Sequence, residues 1–396
     1  MASVTCRARV VTAIASAQIA RPQTVDDVRA AMHDALERRE PLRICGAGTW
    51  RDAGPPVDAA RTLSLAALSG IIAYVPGDLT ITAWAGTTMA ELSHATAAHG
   101  QWLGLDPAGD RGGTIGATIA TASSGPLAHA FGTPRDLVLG LDAVTGYGDV
   151  VRAGGRVVKN VAGFDLVRLY TGSWGTLGAI TAVTMRLRAL PIHDMTLAIA
   201  LDGDAHLTAL LSTLRENTIS LLACEFIDGR TARDLNVTDG RDALLLRLGG
   251  NDGFIRGQRA LLENIASAGV TDAAVWGSVS RLDRDACAVV RVSGTARELS
   301  SRIRRIRTAI GDAGASDVAL HGSVHRGMVR IVASGDASCM RDALLHTASG
   351  EQRVVERLPS SWWRDEGDPF DGALAGRIRA AFDPARLCNR RTAAHA

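Results

Sequence analysis

Glycine-rich segments are the feature that most restricts what this chain can fold into. Four of them lie at residues 46–49, 109–116, 154–163 and 172–178, and each follows a run typical of a strand. Glycine lets the backbone approach a ligand closely and adopt positive φ angles, and successive backbone amides can bind phosphate oxygens. A single segment is typical of an ordinary turn, whereas four in succession favour a long ligand wrapped by several loops.

Single-loop nucleotide motifs do not account for these segments. The run from Gly46 to Trp50 begins like a dinucleotide-binding fingerprint, but Arg51 stands where the third glycine is needed. The sequence contains neither a G-x-x-x-x-G-K-[ST] phosphate loop nor a G-x-S-x-G nucleophile motif. The alternative to a ligand site is a set of ordinary turns in an all-β or α+β domain.

The order of predicted elements divides the chain near residue 192. The chain has 396 residues, too many for one ordinary core, and glycines become sparse after Pro191. Thr24 is predicted to cap a first helix, and Thr88 with Glu91 forms a capping box for a second helix that runs to about His99. Strands are predicted at 42–45, 137–145, 150–153 and 179–190, with a short helix at 165–170. Beyond Pro191, helices at 204–215, 252–268 and 295–312 and strands at 243–248, 286–292 and 328–333 predict a second α+β domain.

Charge and hydropathy exclude several functional classes. The net charge is +2 and no block of like charges occurs, so we expect no nucleic-acid partner. No apolar run approaches the ~20 residues of a membrane span. Arg7 and Arg9 before residues 10–17 weakly resemble a signal peptide, but the run is short, and we expect a loosely packed tail instead.

Cysteine and histidine spacing predicts no metal site. The six cysteines are far apart, which excludes a zinc ribbon or an iron–sulfur cluster built from adjacent ligands and suits a reducing cytoplasm. Lys159 is the only lysine among 43 basic residues. An ammonium that cannot be exchanged for a guanidinium favours a site role for Lys159, and chance is the alternative.

An ordered series of motifs resembles a known family. It runs through AGT at 85–87, HGQ at 99–101, TIG at 114–116, RDLVLG at 135–140, KNVAGFDL at 159–166 and GSWGTLG at 172–178. The series resembles the PCMH-type FAD-binding domain of the vanillyl-alcohol-oxidase type, and the KNVAGFDL run is most similar to FAD-binding subunits of the bacterial glycolate oxidase family. The resemblance covers about residues 20–192.

The resemblance implies an α+β fold with two lobes that hold FAD and a cap domain over the flavin. The implied domains are an N-terminal tail (1–19), the FAD-binding domain (20–192), a cap domain for substrate or partner (193–370) and a closing segment that packs back on the FAD domain (371–396). Residues 46–49 would wrap the pyrophosphate, and residues 172–180 would approach the adenine half. The candidate cofactor-binding residues are Gly46, Ala47, Gly48, Thr49, Trp50, Pro107, Gly113, Thr114, Gly116, Gly125, Arg135, Lys159, Asn160, Gly172, Gly175, Gly178 and Ile180.

The sequence departs from the family pattern at several positions. Ala117 replaces the second glycine after TIG, and Leu127 replaces the arginine of a common Gly-Pro-Arg. Asn389 is followed by Arg390 and Arg391, where the family's closing segment reads Asn-Pro-Gly. The loop at 46–51 has no histidine or tyrosine, so we predict non-covalent FAD.

The reaction implied is hydride transfer from a 2-hydroxy acid, such as glycolate, to the flavin. The implied partners are a homologous catalytic flavin subunit and an iron–sulfur subunit, in a cytoplasmic complex that would reach a membrane only through those partners. Two alternatives remain open. One is a self-sufficient FAD oxidoreductase, and the other is a subunit that uses the FAD fold as an assembly scaffold.

No catalytic residue is assigned. His321 and His325 lie near the place of the cap-domain signature His-x-Gly-Asp-Gly-Asn-x-x-His, but the Gly-Asp-Gly-Asn core is missing, so ordinary strand-edge histidines are expected. Trp362 and Trp363 are expected to pack internally, with a partner-binding anchor as the alternative.

Overall fold

The computed structural model describes residues 19–50, 53–59, 61–155, 164–284, 286–314, 317–334, 341, 352–364, 366 and 372–391. The chain divides into two compact units. The first unit contains the described residues up to Gly125, then Phe131–Leu190, and those from Ser360 onward. The second unit contains Pro126–Ala130 and Pro191–Pro359.

Both units combine helices and strands, so the predicted α+β class is confirmed. The strands are β1 (Ile19–Ala20), β2 (Leu42–Cys45), β3 (Arg61–Ser64), β4 (Ile71–Val75), β5 (Thr80–Trp84), β6 (Gln101–Trp102), β7 (Val138–Thr145), β8 (Val150–Gly154), β9 (Gly178–Arg186), β10 (Arg188–Ala189), β11 (His193–Ala200), β12 (Ala223–Ile227), β13 (Ala243–Gly250), β14 (Gly269–Thr271), β15 (Ala288–Ser293), β16 (Val318–Ser323), β17 (Met328–Ala333) and β18 (Gln352–Arg357). The helices are α1 (Val25–Arg38), α2 (Met89–Ala97), α3 (Ile115–Thr121), α4 (Ala128–Phe131), α5 (Pro134–Leu137), α6 (Leu166–Tyr170), α7 (Asp204–Glu216), α8 (Gly229–Asp234), α9 (Asp252–Glu263), α10 (Ala274–Arg281), α11 (Leu299–Asp312) and α12 (Ala373–Phe382).

Helix starts in the first unit follow the predicted caps. Thr24 accepts a hydrogen bond from the backbone of Asp27, and Asp27 accepts one from the backbone of Thr24, which completes a capping box at α1. Thr88 and Glu91 form the same arrangement at α2. Each cap satisfies backbone donors that the first helical turn leaves unpaired.

A five-stranded antiparallel sheet in the order β4-β5-β9-β7-β8 forms the centre of the first unit. Strand β9 is buried over nearly its whole length because it lies between two strands and has apolar residues on both faces. Ile180 joins one buried cluster and the adjacent Ala179 joins the other. Successive strand residues point to opposite faces, so β9 contributes to a buried cluster on each face.

The C-terminal segment joins a small parallel sheet of order β1-β3-β2 in the first unit. The backbone nitrogen of Leu42 donates to the oxygen of Leu387 at 2.8 Å, and the nitrogen of Asn389 donates to the oxygen of Leu42 at 2.9 Å. The carboxylate of Asp383 accepts from the backbone of Leu387 and Cys388. The turn after α12 is thereby fixed against β2.

An eight-stranded antiparallel sheet in the order β14-β11-β13-β12-β16-β17-β15-β18 dominates the second unit. Helix α10 packs Val275 and Trp276 against one face of this sheet, beside Ile227 and Leu245. Helix α9 contacts β11 and β13, and α11 contacts α7 and β17. The antiparallel pairing of all neighbours sets which side chains share a face.

The sequence predicted several elements with wrong limits and missed others. Helix α9 ends at Glu263 because residues 269–271 form an edge strand. The predicted strand at 179–190 breaks after Arg186, and its end pairs separately with β6. Strands β11, β12, β16 and β18 were not predicted, because short apolar runs lack a decisive period.

Candidate functional site

A partly open cleft lies in the first unit, and its empty volume of about 990 Å³ includes open solvent. It is formed by β2 and the loop after it, the start of α3, the segment before β9 and the C-terminal segment. The lining residues are Arg43, Ile44, Cys45, Gly46, Ala47, Gly48, Thr49, Trp50, Ala53, Pro55, Val57, Leu65, Ala85, Thr114, Gly116, Ala117, Ala120, Thr121, Trp174, Gly175, Gly178, Ile180, Asn389 and Arg391.

The loop after β2 forms one wall of the cleft. A Cβ atom on Gly46 would lie 2.0 Å from Thr114 Oγ1, so only glycine allows this loop to approach α3. The Oγ of Ser64 donates to the backbone oxygen of Gly46 at 3.1 Å. Gly48 has a φ of 78°, which favours glycine. This loop therefore presents backbone rather than side chains to the cleft.

The beginning of α3 forms a second wall. Thr114 is the N-cap and accepts from the backbone of Ala117. The nitrogen of Gly116 donates to the oxygen of Ala85 at 2.9 Å, and a Cβ on Gly116 would lie 2.5 Å from the Cβ of Ala85. This close packing fixes the start of α3 against the end of β5.

The segment before β9 adopts three left-handed conformations within five residues. Trp174, Gly175 and Gly178 have φ angles of 54°, 71° and 133°. The nitrogen of Trp174 donates to the oxygen of Ala120 at 2.8 Å. With these conformations the segment lines the cleft. The positive φ angles of Gly175 and Gly178 explain why this motif has glycine at those positions.

Asn389 connects the C-terminal segment to two walls of the cleft. Its Oδ1 accepts from the backbone nitrogen of Ile44 at 2.7 Å. Its Nδ2 donates to the backbone oxygens of Ile44 and Trp174, at 3.2 and 2.7 Å. Two residues later, the guanidinium of Arg391 lies over the Trp174 ring, with its carbon 5.9 Å from the ring centroid.

The chemistry of the cleft fits FAD. Its described lining residues include two arginines, Arg43 and Arg391, but no acid, lysine, histidine or tyrosine. The Nε1 of Trp50 is buried without a hydrogen-bond partner among the described residues. Backbone amides, this donor and the two cations suit an anionic ligand with an extended apolar part.

The structure brings ten of the seventeen candidate residues together. Gly113 lies beside the cleft loop, since a Cβ there would be 3.6 Å from Thr49 Oγ1. Arg135 donates to the oxygen of Thr171 at 3.3 Å and lies next to Gly172, while Gly125 packs against Asp106. Gly113, Gly125, Arg135, Gly172 and Pro107 are outside the cleft lining. Lys159 and Asn160 fall outside the described residues. The residues that line the cleft are Gly46, Ala47, Gly48, Thr49, Trp50, Thr114, Gly116, Gly175, Gly178 and Ile180.

Sequence reasoning missed several lining residues. Trp174 lies inside the GSWGTLG motif, so the motif itself could have indicated it. Asn389 and Arg391 lie more than 200 residues further along the chain, and the only available signal was the closing segment. Arg43 lies within the short strand β2, and no motif in the sequence marks it as a ligand contact.

A second polar group, the charged cluster, lies in the second unit. It consists of Glu225, Asp283, Arg291, His321, Arg330, Glu356 and Arg357, which are buried except for the half-buried Arg291. The sheet register places His321, Arg330 and Arg291 in one row across β16, β17 and β15. Residues opposite each other in an antiparallel pair share a face.

Glu356 and Asp283 balance the arginines of the charged cluster. Glu356 accepts from the Nε of Arg330 at 2.9 Å and from the Nε of Arg291 at 2.8 Å. Nη1 of Arg357 donates to three backbone oxygens, those of Asp283, Arg284 and Ala286, at 2.7 to 3.1 Å. Burial lowers the pKa of Arg330, but Glu356 and Asp283 outweigh burial and raise it. Arg330 is therefore charged throughout the physiological range.

His321 belongs to the charged cluster rather than to a sheet edge. Strand β16 lies between β12 and β17, so the expectation of a strand-edge histidine is wrong for His321. Its Nε2 lies 3.4 Å from Oδ1 of Asp283. Burial raises the pKa of Asp283, but the hydrogen bond with His321 and the charge of Arg330 outweigh it and lower that pKa.

His325 is exposed and lies in the turn after β16, where its ring centroid is 5.2 Å from that of His129. Burial, with a smaller contribution from His325, lowers the pKa of His129 to about 4. His129 is therefore neutral at physiological pH. Trp363 is buried and Trp362 half-buried, as expected for tryptophans that pack internally.

Comparison with known proteins identifies a domain that contributes part of the cleft. Residues 16–154 match a family model described as an FAD binding domain, so the chain contains an FAD-binding domain and binds FAD through it. The chain is 33% identical to glycolate oxidase subunit GlcE of Escherichia coli (strain K12) over 240 aligned residues. The aligned region covers 60% of this chain and 64% of GlcE. It is 30% identical over 211 residues to glycolate oxidase subunit GlcD of Bacillus subtilis (strain 168), covering 53% and 45%.

A third relative is the mitochondrial D-lactate dehydrogenase [cytochrome] of Arabidopsis thaliana. It is 32% identical over 200 residues, which cover 48% of this chain and 34% of the relative. The chain thus spans less than two thirds of each of these three relatives.

Solved structures support the PCMH-type fold over a longer stretch. An alkyldihydroxyacetonephosphate synthase superposes with a TM-score of 0.69 at 17% identity, covering 94% of this chain and 76% of that one. A 4-ethylphenol oxidase from Gulosibacter chungangensis superposes with a TM-score of 0.70 at 14% identity, covering 94% and 88%. At these identities the likeness concerns the fold alone.

The described residues form neither a membrane-spanning helix nor a cluster of metal ligands. None of the described helices is long and apolar enough to cross a membrane. Within the same ranges, no three histidine, cysteine or acidic side chains are grouped so as to hold a metal ion.

Proposed function

We propose that this chain is the FAD-binding subunit of a complex that oxidises a small 2-hydroxy acid, with glycolate and D-lactate as the first candidate substrates. The observation that carries the proposal is the glycine-lined cleft inside an FAD-binding domain. The names of its relatives, which are glycolate oxidase subunits and a D-lactate dehydrogenase, support the substrate class. FAD supplies the hydride-accepting chemistry when it is bound.

The chain's own residues bind and orient the cofactor in this proposal. The loop at 46–50 offers backbone amides to the diphosphate, and the segment at 172–178 borders the adenosine half. Pro107, Gly113, Gly125, Arg135 and the Lys159–Asn160 pair are proposed as further contacts on the strength of the family resemblance. The domain limits of 20–192 and 193–370 are proposed on the same basis.

We also propose that FAD is held without a covalent bond. The described residues that line the cleft include no histidine or tyrosine to attach the flavin. Precipitation of the purified yellow protein with acid would then release all the flavin into the supernatant. Flavin that stays in the pellet after washing would contradict this part of the proposal.

The proposed partners are a homologous catalytic flavin subunit and an iron–sulfur subunit that takes up the electrons. Similarity to two differently named glycolate oxidase subunits supports a complex of related chains. A cytoplasmic location is proposed from the widely spaced cysteines. Affinity purification of the full chain from its native host would recover both partners if the proposal is correct.

An anaerobic visible spectrum of the purified chain tests the proposal most directly. We expect a flavin spectrum that remains oxidised after addition of glycolate or D-lactate to the chain alone and bleaches when the purified complex is used. Bleaching of the isolated chain would replace the subunit role with a self-sufficient oxidoreductase. A chain that stays colourless after incubation with FAD would contradict the proposal altogether.

A further inference from the structure

We propose that Arg391 and Arg43 form a cationic clamp on the diphosphate of FAD, so that the C-terminal segment is part of the cofactor site. This inference rests on the proposed FAD-dependent function and deepens it. The two arginines are 348 positions apart in the sequence, and both line the cleft.

Arg391 is held in a defined position beside the cleft. It is 8% exposed, and its guanidinium lies over the ring of Trp174, which itself lines the cleft. Its backbone forms an antiparallel bridge with Val57. Stacking on an aromatic ring and a fixed backbone restrict the side chain, so little conformational entropy remains to be lost on binding.

Arg43 reaches the same place from β2. Its Nη2 donates to the backbone oxygen of Val57 at 3.3 Å. Val57 is therefore the common anchor of both arginines, one through its carbonyl oxygen and the other through its backbone bridge. Opposite residues of an antiparallel bridge lie about 4.5–5.5 Å apart at their Cα atoms.

Charge complementarity identifies the part of the ligand that these arginines contact. The described lining residues include Arg43 and Arg391 but no acid. The isoalloxazine, ribityl and adenosine parts of FAD are uncharged at neutral pH, whereas each phosphate carries a negative charge. A guanidinium binds phosphate oxygens in a bidentate manner, and a partly desolvated site strengthens the attraction.

The sequence supplies a matched control in the neighbouring Arg390. Its side chain pairs with Asp58 and is exposed, and it does not line the cleft. Four variants of the full chain test the clamp. Arg391→Met and Arg43→Met remove each charge, Arg391→Lys keeps the charge but changes its geometry, and Arg390→Met removes a neighbouring charge outside the cleft. Binding of FAD is measured by flavin fluorescence, and binding of ADP and adenosine to the FAD-free chain by the change in total tryptophan fluorescence, to which Trp50 and Trp174 in the cleft contribute.

We expect Arg391→Met to weaken FAD and ADP binding about tenfold or more, because a charge-assisted hydrogen bond contributes on this scale. Adenosine lacks the diphosphate, so its binding should not change. Arg391→Lys should restore part of the affinity, Arg43→Met should reproduce the loss, and Arg390→Met should behave as the unmodified chain. The affinity of the unmodified chain for ADP should also fall more steeply with salt than that of Arg391→Met.

Three results would overturn the clamp. The first is that Arg391→Met binds FAD and ADP as tightly as Arg390→Met does. The second is that Arg391→Met loses affinity for adenosine as much as for ADP. The third is that Arg43→Met keeps the FAD and ADP affinity of the unmodified chain. If Arg391→Met does not fold, Arg43→Met decides the question by itself. Failure of the unmodified chain to bind FAD would instead count against the proposed function.

Discussion

The proposed FAD cleft of the first unit and the charged cluster of the second unit both contain arginines, but they are built in opposite ways. In the cleft, glycines such as Gly46, Gly116 and Gly175 leave out side chains, and the walls are largely backbone. In the cluster, long side chains such as Arg330 and Glu356 fill the space and bind one another.

The difference shows how a protein separates ligand binding from internal stability. The cleft offers unused hydrogen-bonding capacity, for example at Trp50 Nε1, and a ligand can use it. The charged cluster uses most of its capacity internally, because a buried charge without a partner is costly. Changes in the cleft should therefore alter FAD affinity, and changes in the cluster should alter the free energy of unfolding.

Gly46→Ala should have the largest effect on FAD affinity. The new Cβ would meet Thr114 Oγ1 at 2.0 Å, and overpacking of this kind costs about 1–3 kcal/mol. Because Thr114 also lines the cleft, we expect FAD affinity to fall about ten- to a hundredfold, measured by flavin fluorescence. Gly77→Ala is the control, since a Cβ there meets no atom within 4 Å. Equal FAD affinity in both variants would remove the steric argument.

Arg330→Met should instead lower the free energy of unfolding. It leaves the carboxylates of Glu356 and Asp283 buried with less compensation, and breaking a buried pair costs about 3–5 kcal/mol. Urea denaturation should show that loss, while FAD affinity stays unchanged. Arg256→Met removes an exposed pair with Asp252 and should cost less than about 0.5 kcal/mol. A loss of FAD affinity without a loss of stability in Arg330→Met would contradict the division of roles.

His129→Gln should change the pH dependence of stability. Because burial lowers the folded-state pKa of His129 to about 4, below its unfolded value near 6.5, the unfolded chain binds the proton more readily. Neutral His129 therefore makes its full contribution to the free energy of unfolding above pH ~6.5, and this contribution is lost as the pH falls towards ~4.

Thermal denaturation between pH 7.5 and pH 4.5 would measure this effect. After allowance for the partial exposure of His129, we expect the free energy of unfolding of the unmodified chain to fall by roughly 1–2 kcal/mol more than that of His129→Gln over this pH range. His325→Gln should retain most of the pH dependence, because His325 makes the smaller contribution to the shift. The same pH profile in the unmodified chain and in His129→Gln would show that burial does not depress this pKa.

The sequence predicted the elements whose signals are local. The predicted Thr24 cap of α1 and the predicted capping box of α2 are contacts within four residues, so the local sequence locates them. The glycines of the cleft were recognised for a similar reason, because positive φ angles at Gly48, Gly175 and Gly178 demand that residue type. The FAD-binding domain followed from the order of those segments.

The limits of the second unit were harder to predict. Strand β12 is buried at all five positions and β16 at four of six, which removes the alternation that identifies a strand. The row of His321, Arg330 and Arg291 depends on the register of three strands. Strands β16 and β17 are joined by a short turn, but β15 pairs with β17 across the intervening α11 and β16, and no spacing in the sequence encodes that register.

The sequence by itself determined that this chain has glycine-rich loops after strands, an α+β composition and the motif order of an FAD-binding domain. Only the tertiary structure decided that Arg43, Trp174, Asn389 and Arg391 meet at one cleft. The physical reason is the range of the interactions. Backbone conformation and helix caps depend on neighbouring residues, whereas a site assembled from both ends of a chain exists only after β2, β9 and the C-terminal segment have packed together.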